Sequence, residues 1–361
     1  MDSLTQIALG AGIAALCVPP GHRRRALLAG AALGTLPDLD SLPLFLLSDD
    51  PVTRMTSHRG WSHSLLVLPL LATALWWWLR RIWQPVREAP RAWWWAISLA
   101  LVTHALLDAF TVYGTQLWWP LPLPPVMWSS LFIIDPGYTI WWLLALPAAA
   151  ILGARPAART VLAAGLALSS AYLGWSLLAK ALVERQVEPT LAALGLADAP
   201  WFSVPTPLNT LLWRIVVMTP QGYLEGEYSL IADRGPVRFR HHDIDPDLRQ
   251  AGLATRAGQR LAWFNHGFMA AEERGGRLVL SDLRMGSAGG YVFQFAVAQQ
   301  QPDDWQAIAP EQLAMDFAAQ RHLGPIWRRI WTAADAGPGG LDGSAMPTPG
   351  DNSGSNRNAH D

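Results

Sequence analysis

Long apolar runs dominate the first 180 residues, and this feature constrains the fold of the chain more than any other. A bilayer core about 30 Å thick is crossed by a helix of roughly 20 apolar residues. Backbone polar groups must be paired inside lipid, so several such runs favour a helical bundle. We therefore predict a membrane α-helical bundle of about five transmembrane helices over residues 1–180. The apolar runs are Leu4–Val18, Ala26–Leu47, His63–Leu79, Trp93–Val112, Tyr138–Gly153 and Val161–Leu178.

The amino-acid composition of the chain changes near residue 180. The whole sequence is 51% hydrophobic and only 15% charged, and its apolar excess lies before that point. Beyond it, β-branched and aromatic runs predict strands, and the proline-led segment Pro310–Leu323 predicts a helix. We predict an extracytoplasmic α+β domain over residues 181–335, followed by a Gly-, Ser- and Asn-rich disordered tail over residues 336–361. The predicted strands are Leu211–Met218, Tyr223–Ile231, Arg277–Leu283 and Tyr291–Val297.

Composition also excludes several classes of protein and site. A net charge of -1 gives no basis for binding nucleic acid, so no nucleic-acid partner is expected. The single cysteine, Cys17, excludes a disulfide within one chain and a cysteine-based zinc cage. The start of the chain lacks the positive stretch of a cleavable signal peptide. The 20 tryptophans include runs near the ends of apolar segments, a pattern typical of the membrane–water interface.

The distribution of arginine predicts the orientation of the bundle. Basic links at Arg23–Arg25, Arg80–Arg91 and Arg155–Arg159 alternate with links that hold few basic residues. Because basic loops stay in the cytoplasm, the N-terminus and the domain after residue 180 are expected outside it. The prediction is a multi-pass membrane protein with an extracytoplasmic C-terminal domain. If residues 26–36 formed a re-entrant hairpin instead of a crossing, the orientation downstream would flip.

Six ionisable side chains lie in or beside the apolar segments, where such groups are costly and usually functional. They fall within three groups, Leu36–Asp40, His58–Ser64 and His104–Asp108. Pro37 predicts a helix break that opens onto a polar cavity, and residues at i and i+4 of a helix share a face. In the predicted orientation all three groups converge at the outer face of the bilayer. The predicted metal ligands are Asp38, Asp40, His58, His63, His104 and Asp108.

Imidazole and carboxylate groups together suit a divalent metal ion, Zn²⁺ first, with Mn²⁺ and Fe²⁺ as alternatives. His58 and His63 can serve as nitrogen ligands, or one of them as the acid or base of a reaction. Arg59 can bind an anionic substrate group or pair with Asp38 or Asp40. We predict His58, His63 and Arg59 as catalytic residues. A bound ion would lower the pKa of its water to about 7, which generates hydroxide for attack on an ester or amide.

Structural interpretations of the same residues compete with this hypothesis. His104 and Asp108 can form a buried hydrogen-bonded pair, and Leu36–Asp40 can be a helix stop followed by a cap. A proton or ion path through these residues is a third interpretation, although few intramembrane charges continue toward the inner face. His241–Asp243 resembles a metal cluster, but its polar surroundings predict a solvated turn. Gly286–Gly290 is also interpreted as a turn.

Four motifs taken together resemble a known family. Met1–Gln6, Leu36–Asp40, His58–Ser64, and His104–Asp108 followed by Tyr113–Thr115 are similar to the bacterial inner-membrane YdjM/YbcI family. The resemblance covers the first 180 residues, and Ser62 stands where the family commonly has threonine. The family is described as membrane-bound metal-dependent hydrolases, and one member is reported to bind the LexA repressor. The resemblance therefore implies a metal site in the inner membrane more strongly than it implies any one reaction.

The sequence leads to one functional hypothesis and one alternative. The hypothesis is a metal-dependent hydrolase of the bacterial inner membrane that acts at the outer bilayer surface on a lipid or lipid-linked ester or phosphoester. The His-x-x-x-Asp spacing, which is similar to that of metal ligands in zinc-dependent phospholipase C enzymes, favours a lipid phosphoester. The alternative is a non-catalytic membrane scaffold or regulator whose polar cluster is structural.

Overall fold

The computed structural model describes residues 1–288, 290–302, 304–314 and 323–333. Helices α1 to α9 form the N-terminal part of the molecule. Short 3₁₀ turns at Pro20–His22, Pro37–Asp40 and Trp61–His63 interrupt the helical path. The helices are α1 Ser3–Cys17, α2 Arg23–Thr35, α3 Ser41–Leu47, α4 Pro51–Ser57, α5 Leu68–Ile82, α6 Gln84–Glu88, α7 Pro90–Ala109, α8 Pro136–Leu152 and α9 Pro156–Ala193.

Two of these helices, α7 with 20 residues and α9 with 38, are long and apolar enough to cross a membrane. Helix α5 qualifies only together with the segment Pro51–His63, from which it is bent by 63°. Helices α1 and α8 are apolar but shorter, at 15 and 17 residues. The described residues thus contain two candidate spans, or three if the bent pair counts as one. The predicted number of about five stays a prediction.

The predicted helix break near Pro37 is confirmed. Helix α2 ends at Thr35, and the 3₁₀ turn that follows carries Asp38 and Asp40. Helix α4 then forms between α3 and the loop that carries His58. Asp50 caps α4 by accepting hydrogen bonds from the backbone nitrogens of Val52 at 2.9 Å and Thr53 at 3.2 Å.

Helices α1 and α2 cross at glycines that allow their backbones to touch. A Cβ atom on Gly10 would lie 2.4 Å from the Gly30 carbonyl oxygen, and one on Gly34 would lie 2.3 Å from the Gln6 carbonyl oxygen. Gly30 and Gly34 are four residues apart on α2, the small-residue spacing common where membrane helices approach closely. This contact holds the start of α1 beside the end of α2.

The basic links meet at one end of the bundle, which we call the basic end. Arg23 donates Nη1 hydrogen bonds to the carbonyl oxygens of Gly153 at 2.8 Å and Arg155 at 3.1 Å. His22, beside it, contacts Glu88 across 2.9 Å. The links after α1, α6 and α8 therefore share this end. The turns that carry Asp38 and His63 lie at the other ends of α2 and α5.

The domain that follows contains two four-stranded antiparallel sheets. The first sheet has the order β1-β2-β3-β4, and the second has the order β10-β9-β6-β5. Helices α10, Pro246–Ala254, and α11, Arg256–Phe264, lie between the sheets in sequence, and α12, Leu323–Trp331, comes last. The strands are β1 Trp201–Pro205, β2 Leu212–Thr219, β3 Gly222–Ser229, β4 Arg238–Asp243, β5 Met269–Arg274, β6 Arg277–Asp282, β7 Gly286–Ser287, β8 Gly290–Tyr291, β9 Gln294–Gln300 and β10 Trp305–Gln312.

Helix α9 joins the two parts of the molecule. Its last half presents Ala179, Val183, Val187 and Leu191 at i, i+4 spacing, and these side chains are buried against one face of the first sheet. The opposite face of that sheet shares a hydrophobic core with the second sheet and α11. Strand β2 is buried along its whole length because both of its faces are covered.

The core between the two sheets also takes in side chains from the membrane part. Met55 of α4 and Tyr113 lie in the same buried cluster as Phe264 of α11. The Tyr113 ring stands edge-on to the Phe264 ring with centroids 5.5 Å apart, and its hydroxyl donates to the Met55 carbonyl oxygen at 2.8 Å. The domain is therefore seated directly on the segment that leads to His58.

All four predicted strand regions contain strands, with shifted bounds for the last, where β9 begins at Gln294. The helix predicted from Pro310 is wrong at its start, because Pro310 lies in β10. That strand is at the edge of its sheet, and its register shifts between Ala307 and Glu311, which is where a strand tolerates proline. Residues 315–322 of that prediction and the tail at 336–361 lie outside the described residues. His241 and His242 lie on edge strand β4 instead of a turn.

Candidate metal centre

Four side chains from three separate parts of the chain meet at the end of the bundle opposite the basic end. They are Asp38 from the 3₁₀ turn after α2, His63 from the 3₁₀ turn before α5, and His104 and Asp108 from α7. One ligand atom from each lies within 4.8 Å of all the others. Three of the four are almost fully buried, and the Asp38 side chain is 24% exposed. The group is thus closed toward the bundle and open at Asp38.

The hydrogen bond of His104 fixes which of its nitrogens faces the group. Nδ1 lies 2.8 Å from the carbonyl oxygen of Gly34, which can only accept, so Nδ1 carries the proton. Nε2 of the neutral ring then presents its lone pair to the other three residues. A second-sphere carbonyl that sets the tautomer of a histidine is typical of metal ligands. Because α1 and α2 touch at Gly34, the carbonyl oxygen of this residue lies close enough to His104 to accept its hydrogen bond.

His63 is oriented by a chain of hydrogen bonds through Ser62 to Asp40. The Ser62 hydroxyl donates to Asp40 Oδ2 at 2.6 Å, so its oxygen accepts from His63 Nδ1 at 2.9 Å. The His63 ring therefore also carries its proton on Nδ1, and its Nε2 faces the group. A carboxylate that acts on a histidine through a hydroxyl raises the basicity of the ring as a ligand.

The two Nε2 atoms point at each other across 3.1 Å. Two lone pairs at this distance repel, and the arrangement is stable only with a positive charge between them, either a proton or a metal ion. Asp38 Oδ1 lies 3.4 Å from both nitrogens, is buried and accepts no hydrogen bond. Asp108 Oδ2 lies 3.1 Å from His63 Nε2 and 3.6 Å from His104 Nε2. Two nitrogens and two oxygens converging in this way fit a divalent ion.

The groups around Asp108 fix its orientation so that Oδ2 faces the other three side chains of the group. Its Oδ1 accepts from Gln6 Nε2 at 2.9 Å and contacts the Met1 nitrogen. Its Oδ2 lies 3.2 Å from Arg59 Nε in an ion pair. Arg59 also donates Nη1 to the Thr111 hydroxyl at 3.2 Å and lies over the Tyr113 ring. Buried positive charge thus offsets the carboxylates of the group.

The structure separates the six predicted ligands into four and two. Asp40 and His58 lie outside the group of four and bind each other, with His58 Nδ1 at 2.7 Å from Asp40 Oδ1. Asp40 Oδ2 also accepts from the backbone nitrogen of Arg59 at 3.1 Å. Asp40 therefore organises the loop from His58 to His63. The guanidinium of Arg59, a predicted catalytic residue, is buried and pairs with Asp108 instead of Asp38 or Asp40.

Comparison with known proteins identifies the family. A family model described as YdjM inner membrane protein matches residues 1–183, which is half of the chain and includes every residue of the group. The chain belongs to the YdjM family of inner membrane proteins. Inner membrane protein YbcI of Escherichia coli strain K12 is 31% identical over 137 residues, covering 37% of this chain and 69% of its own length. No solved structure matches the chain.

Several residues around the group of four were not among the predicted site residues. Gln6 and Ser62 lie inside the motifs that carried the resemblance, so the motifs pointed to them without assigning a role. The Gly34 carbonyl gives no chemical signal in the sequence, and the four-residue spacing of Gly34 from Gly30 is the one signal that could have pointed to a close helix contact. Arg260 of α11, which donates Nη2 to the Ser57 hydroxyl at 2.8 Å, comes from a part of the chain with no motif at all.

We expect Gly34→Ala to lower both metal affinity and thermal stability. The added Cβ would meet the Gln6 carbonyl, so α2 must move away from α1 and carry the Gly34 carbonyl away from His104. Loss of a second-sphere partner typically lowers metal affinity by about 10–100-fold. Isothermal titration with Zn²⁺ and a melting curve measure the two effects. Gly174→Ala, in α9 with open space around its Cβ, is the matched control and should change neither.

We expect Ser62→Ala to lower metal affinity by about 10–100-fold without removing a ligand, because His63 Nδ1 and Asp40 both lose their shared partner. Ser62→Thr keeps the hydroxyl and should bind metal like the wild type. The same titration with Zn²⁺ measures both variants. Equal affinities for the alanine and threonine variants would show that the hydroxyl does not orient His63.

Proposed function

We propose that this protein is a metal-dependent hydrolase of the inner membrane that cleaves an ester or phosphoester of a lipid or lipid-linked substrate. The observation that carries the proposal is the pair of His63 and His104 Nε2 atoms facing each other beside two carboxylates. Asp38, His63, His104 and Asp108 would hold the ion. When bound, a divalent ion lowers the pKa of a coordinated water to about 7 and polarises the oxygen of an ester or phosphoryl group.

His58 is the residue we assign to proton transfer. Its Nδ1 is occupied by Asp40, which leaves Nε2 as the nitrogen that can take up or release a proton. The side chain is 24% exposed, in contrast to the buried His63, and the two rings are 6.0 Å apart between centroids. A histidine held by a carboxylate beside an ion site is the arrangement expected of an acid–base residue. Arg59 keeps Asp108 in position and does not act on substrate directly.

Orientation and surroundings support a lipid substrate. The basic links gather at the end opposite the group, and basic links of membrane proteins remain in the cytoplasm, so the group would face outward. Helix α3 follows Asp40 directly, none of its residues is buried, and the Leu46 side chain is 81% exposed. Trp61, inside the histidine loop, is also exposed. Apolar side chains exposed on α3 and at Trp61 favour a substrate that arrives from the bilayer.

The alternative function, a membrane scaffold, is supported by the Asp108 contacts. Gln6, Arg59 and the Met1 nitrogen satisfy that carboxylate within the protein, as they would in a purely structural network. A scaffold with such a network has no need for His58 beside the site. Turnover therefore separates the two functions, whereas metal content alone does not.

The experiment is a hydrolysis assay on the purified full-length protein in phosphatidylethanolamine and phosphatidylglycerol vesicles. Zn²⁺ or Mn²⁺ is added, and lipid products are identified by mass spectrometry; a second arm supplies a polyprenyl diphosphate. The proposal predicts product formation that His58→Gln reduces strongly while metal content stays unchanged. His241→Gln, an exposed histidine on β4, is the matched control and should keep full turnover. Metal-loaded protein that releases no product from either lipid class would favour the scaffold.

A further inference from the structure

A cleft of about 400 Å³ lies between the loop Pro207–Asn209 and helix α12. Its walls are apolar apart from Asn209, and its volume falls in the range of small-molecule sites. It is separate from the four residues of the candidate metal centre, Asp38, His63, His104 and Asp108 (the metal group), and from the residues assigned to hydrolysis. The side chains that form most of it are those of Pro207, Leu208, Leu323, Ile326, Trp327 and Ile330.

The cleft loop lies beside α9, the longer of the two candidate membrane spans. Thr210, next to the cleft loop, bonds through its hydroxyl to the Tyr172 hydroxyl at 3.2 Å and to Trp175 Nε1 at 3.1 Å. On α9, Leu177 and Leu178 are exposed, whereas Ala179 is fully buried against the first sheet. The exposed apolar surface of α9 therefore extends to Leu177 and Leu178, within one turn of Trp175. The cleft loop continues that surface.

Helix α12 is held by polar contacts, and none of the described residues covers its apolar face. The Ser229 hydroxyl donates to the Ile330 carbonyl oxygen at 2.6 Å, and Arg329 donates to Asp233 at 3.1 Å. Leu323, Trp327 and Trp331 follow at i, i+4 and i+8 and remain exposed, with the Trp327 side chain at 62%. Amphipathic helices with tryptophan on the apolar face bind the interface of a bilayer.

Helix α12 also carries a cation next to the cleft residue Trp327. Arg328 is exposed, and it makes no ion pair or hydrogen bond among the described residues. A cation beside an apolar cleft at the membrane surface suits an anionic headgroup above an acyl chain. Leu208, at the mouth of the cleft, has a φ of 65°, which is uncommon for a leucine. Such strain is retained mainly where a side chain serves a function.

We propose that this cleft binds the acyl chain of an anionic phospholipid at the membrane surface, and that Arg328, next to Trp327 on α12, contacts its headgroup. The site fastens the end of the domain to the bilayer surface at the α9 boundary. This inference does not depend on the metal group or on hydrolysis. An alternative occupant is another segment of the chain itself, which the experiment below distinguishes.

The test uses the full-length protein in nanodiscs that contain phosphatidylglycerol with a diazirine in its acyl chain. After illumination, adducts are mapped by mass spectrometry. The proposal predicts adducts on the peptides that hold Leu208 and Leu323–Ile330, in addition to those on the Leu177–Leu178 peptide of α9. Absence of cleft adducts in the wild type contradicts the proposal and points to an occupant from the chain itself.

Leu208→Asn is the diagnostic variant, because asparagine adopts a φ near 65° more readily than leucine and so does not disturb folding. It replaces an apolar wall with a polar one. We expect the yield of cleft adducts to fall several-fold while the α9 adducts stay constant. Arg328→Gln should lower cleft adducts from phosphatidylglycerol but not from phosphatidylcholine carrying the same diazirine. Cleft adducts that persist at wild-type yield in Leu208→Asn would overturn the assignment.

Discussion

Replacing Asp108 with asparagine is expected to abolish stoichiometric binding of a divalent ion while the protein remains folded in the membrane. Asparagine has nearly the same shape and keeps an oxygen that can accept from Gln6 Nε2. It removes the negative charge that one ligand must supply and leaves the buried Arg59 without its ionic partner. The affinity loss should exceed the roughly 10–100-fold expected when only a second-sphere group is removed. Metal analysis and calorimetric titration of the purified variant measure it.

Asp135→Asn is the matched control for that substitution. Asp135 is also almost fully buried, but it caps α8 by accepting from the Gly137 nitrogen at 2.9 Å and takes no part in the group of four. Asparagine can make the same cap, so metal content should equal that of the wild type. Equal occupancy in Asp108→Asn and Asp135→Asn would contradict the assignment of Asp108 as a ligand.

A reporter enzyme that is active only outside the cytoplasm should be active when fused after residue 333 and silent when fused at Arg87. The expectation rests on the positive-inside rule applied to the links that meet at the basic end. Because the domain is seated at the opposite end, beside Tyr113, the same result would place the metal group on the outer side. Nearly all of the reporter activity should come from the fusion after residue 333, and almost none from the fusion at Arg87.

Reporter activity at Arg87 together with silence after residue 333 would invert the orientation. The metal group would then face the cytoplasm, and a substrate from the outer leaflet would be excluded. Activity at both positions would instead indicate that α7 to α9 do not cross as assumed. A cytoplasmic reporter at the same two positions provides the reciprocal control.

The residues of the metal group could be predicted because each one is an ionisable side chain in or beside an apolar segment. His104 and Asp108 stand in an otherwise apolar helix, and Asp38 follows a proline in a segment long enough to cross the membrane. Such residues are usually functional, and the i, i+4 spacing on α7 placed two of them on one face. Three such groups in one chain supported a shared metal site more strongly than any single motif did.

The division of the six residues could not be predicted. Asp38 and Asp40 are two positions apart in one 3₁₀ turn, and their different partners depend on how that turn meets the loop from His58 to His63. Sequence spacing gives no direction for side chains in such turns. The role of Gly34 was hidden for a related reason, since its backbone carbonyl, and not a side chain, fixes the His104 tautomer.

The contact between the domain and the helical bundle could also not be predicted from the sequence. Residues 1–180 and 181–335 were predicted as separate units because their compositions differ. In the structure, Met55 and Tyr113 share a core with Phe264, and the last half of α9 is covered by the first sheet. Contacts between residues so far apart in sequence arise from tertiary packing, which local periodicity does not encode.

X-ray absorption spectroscopy of the protein loaded with one equivalent of Zn²⁺ tests the central claim most directly. The account predicts a first shell of nitrogen and oxygen ligands at about 2.0–2.2 Å without sulfur, including the outer-shell scattering of two imidazole rings. His104→Ala should reduce that scattering to one ring, and His58→Gln should leave two. A wild-type protein that takes up no stoichiometric Zn²⁺ or Mn²⁺, or a spectrum that His104→Ala does not change, would contradict the assignment of the four residues as a metal site.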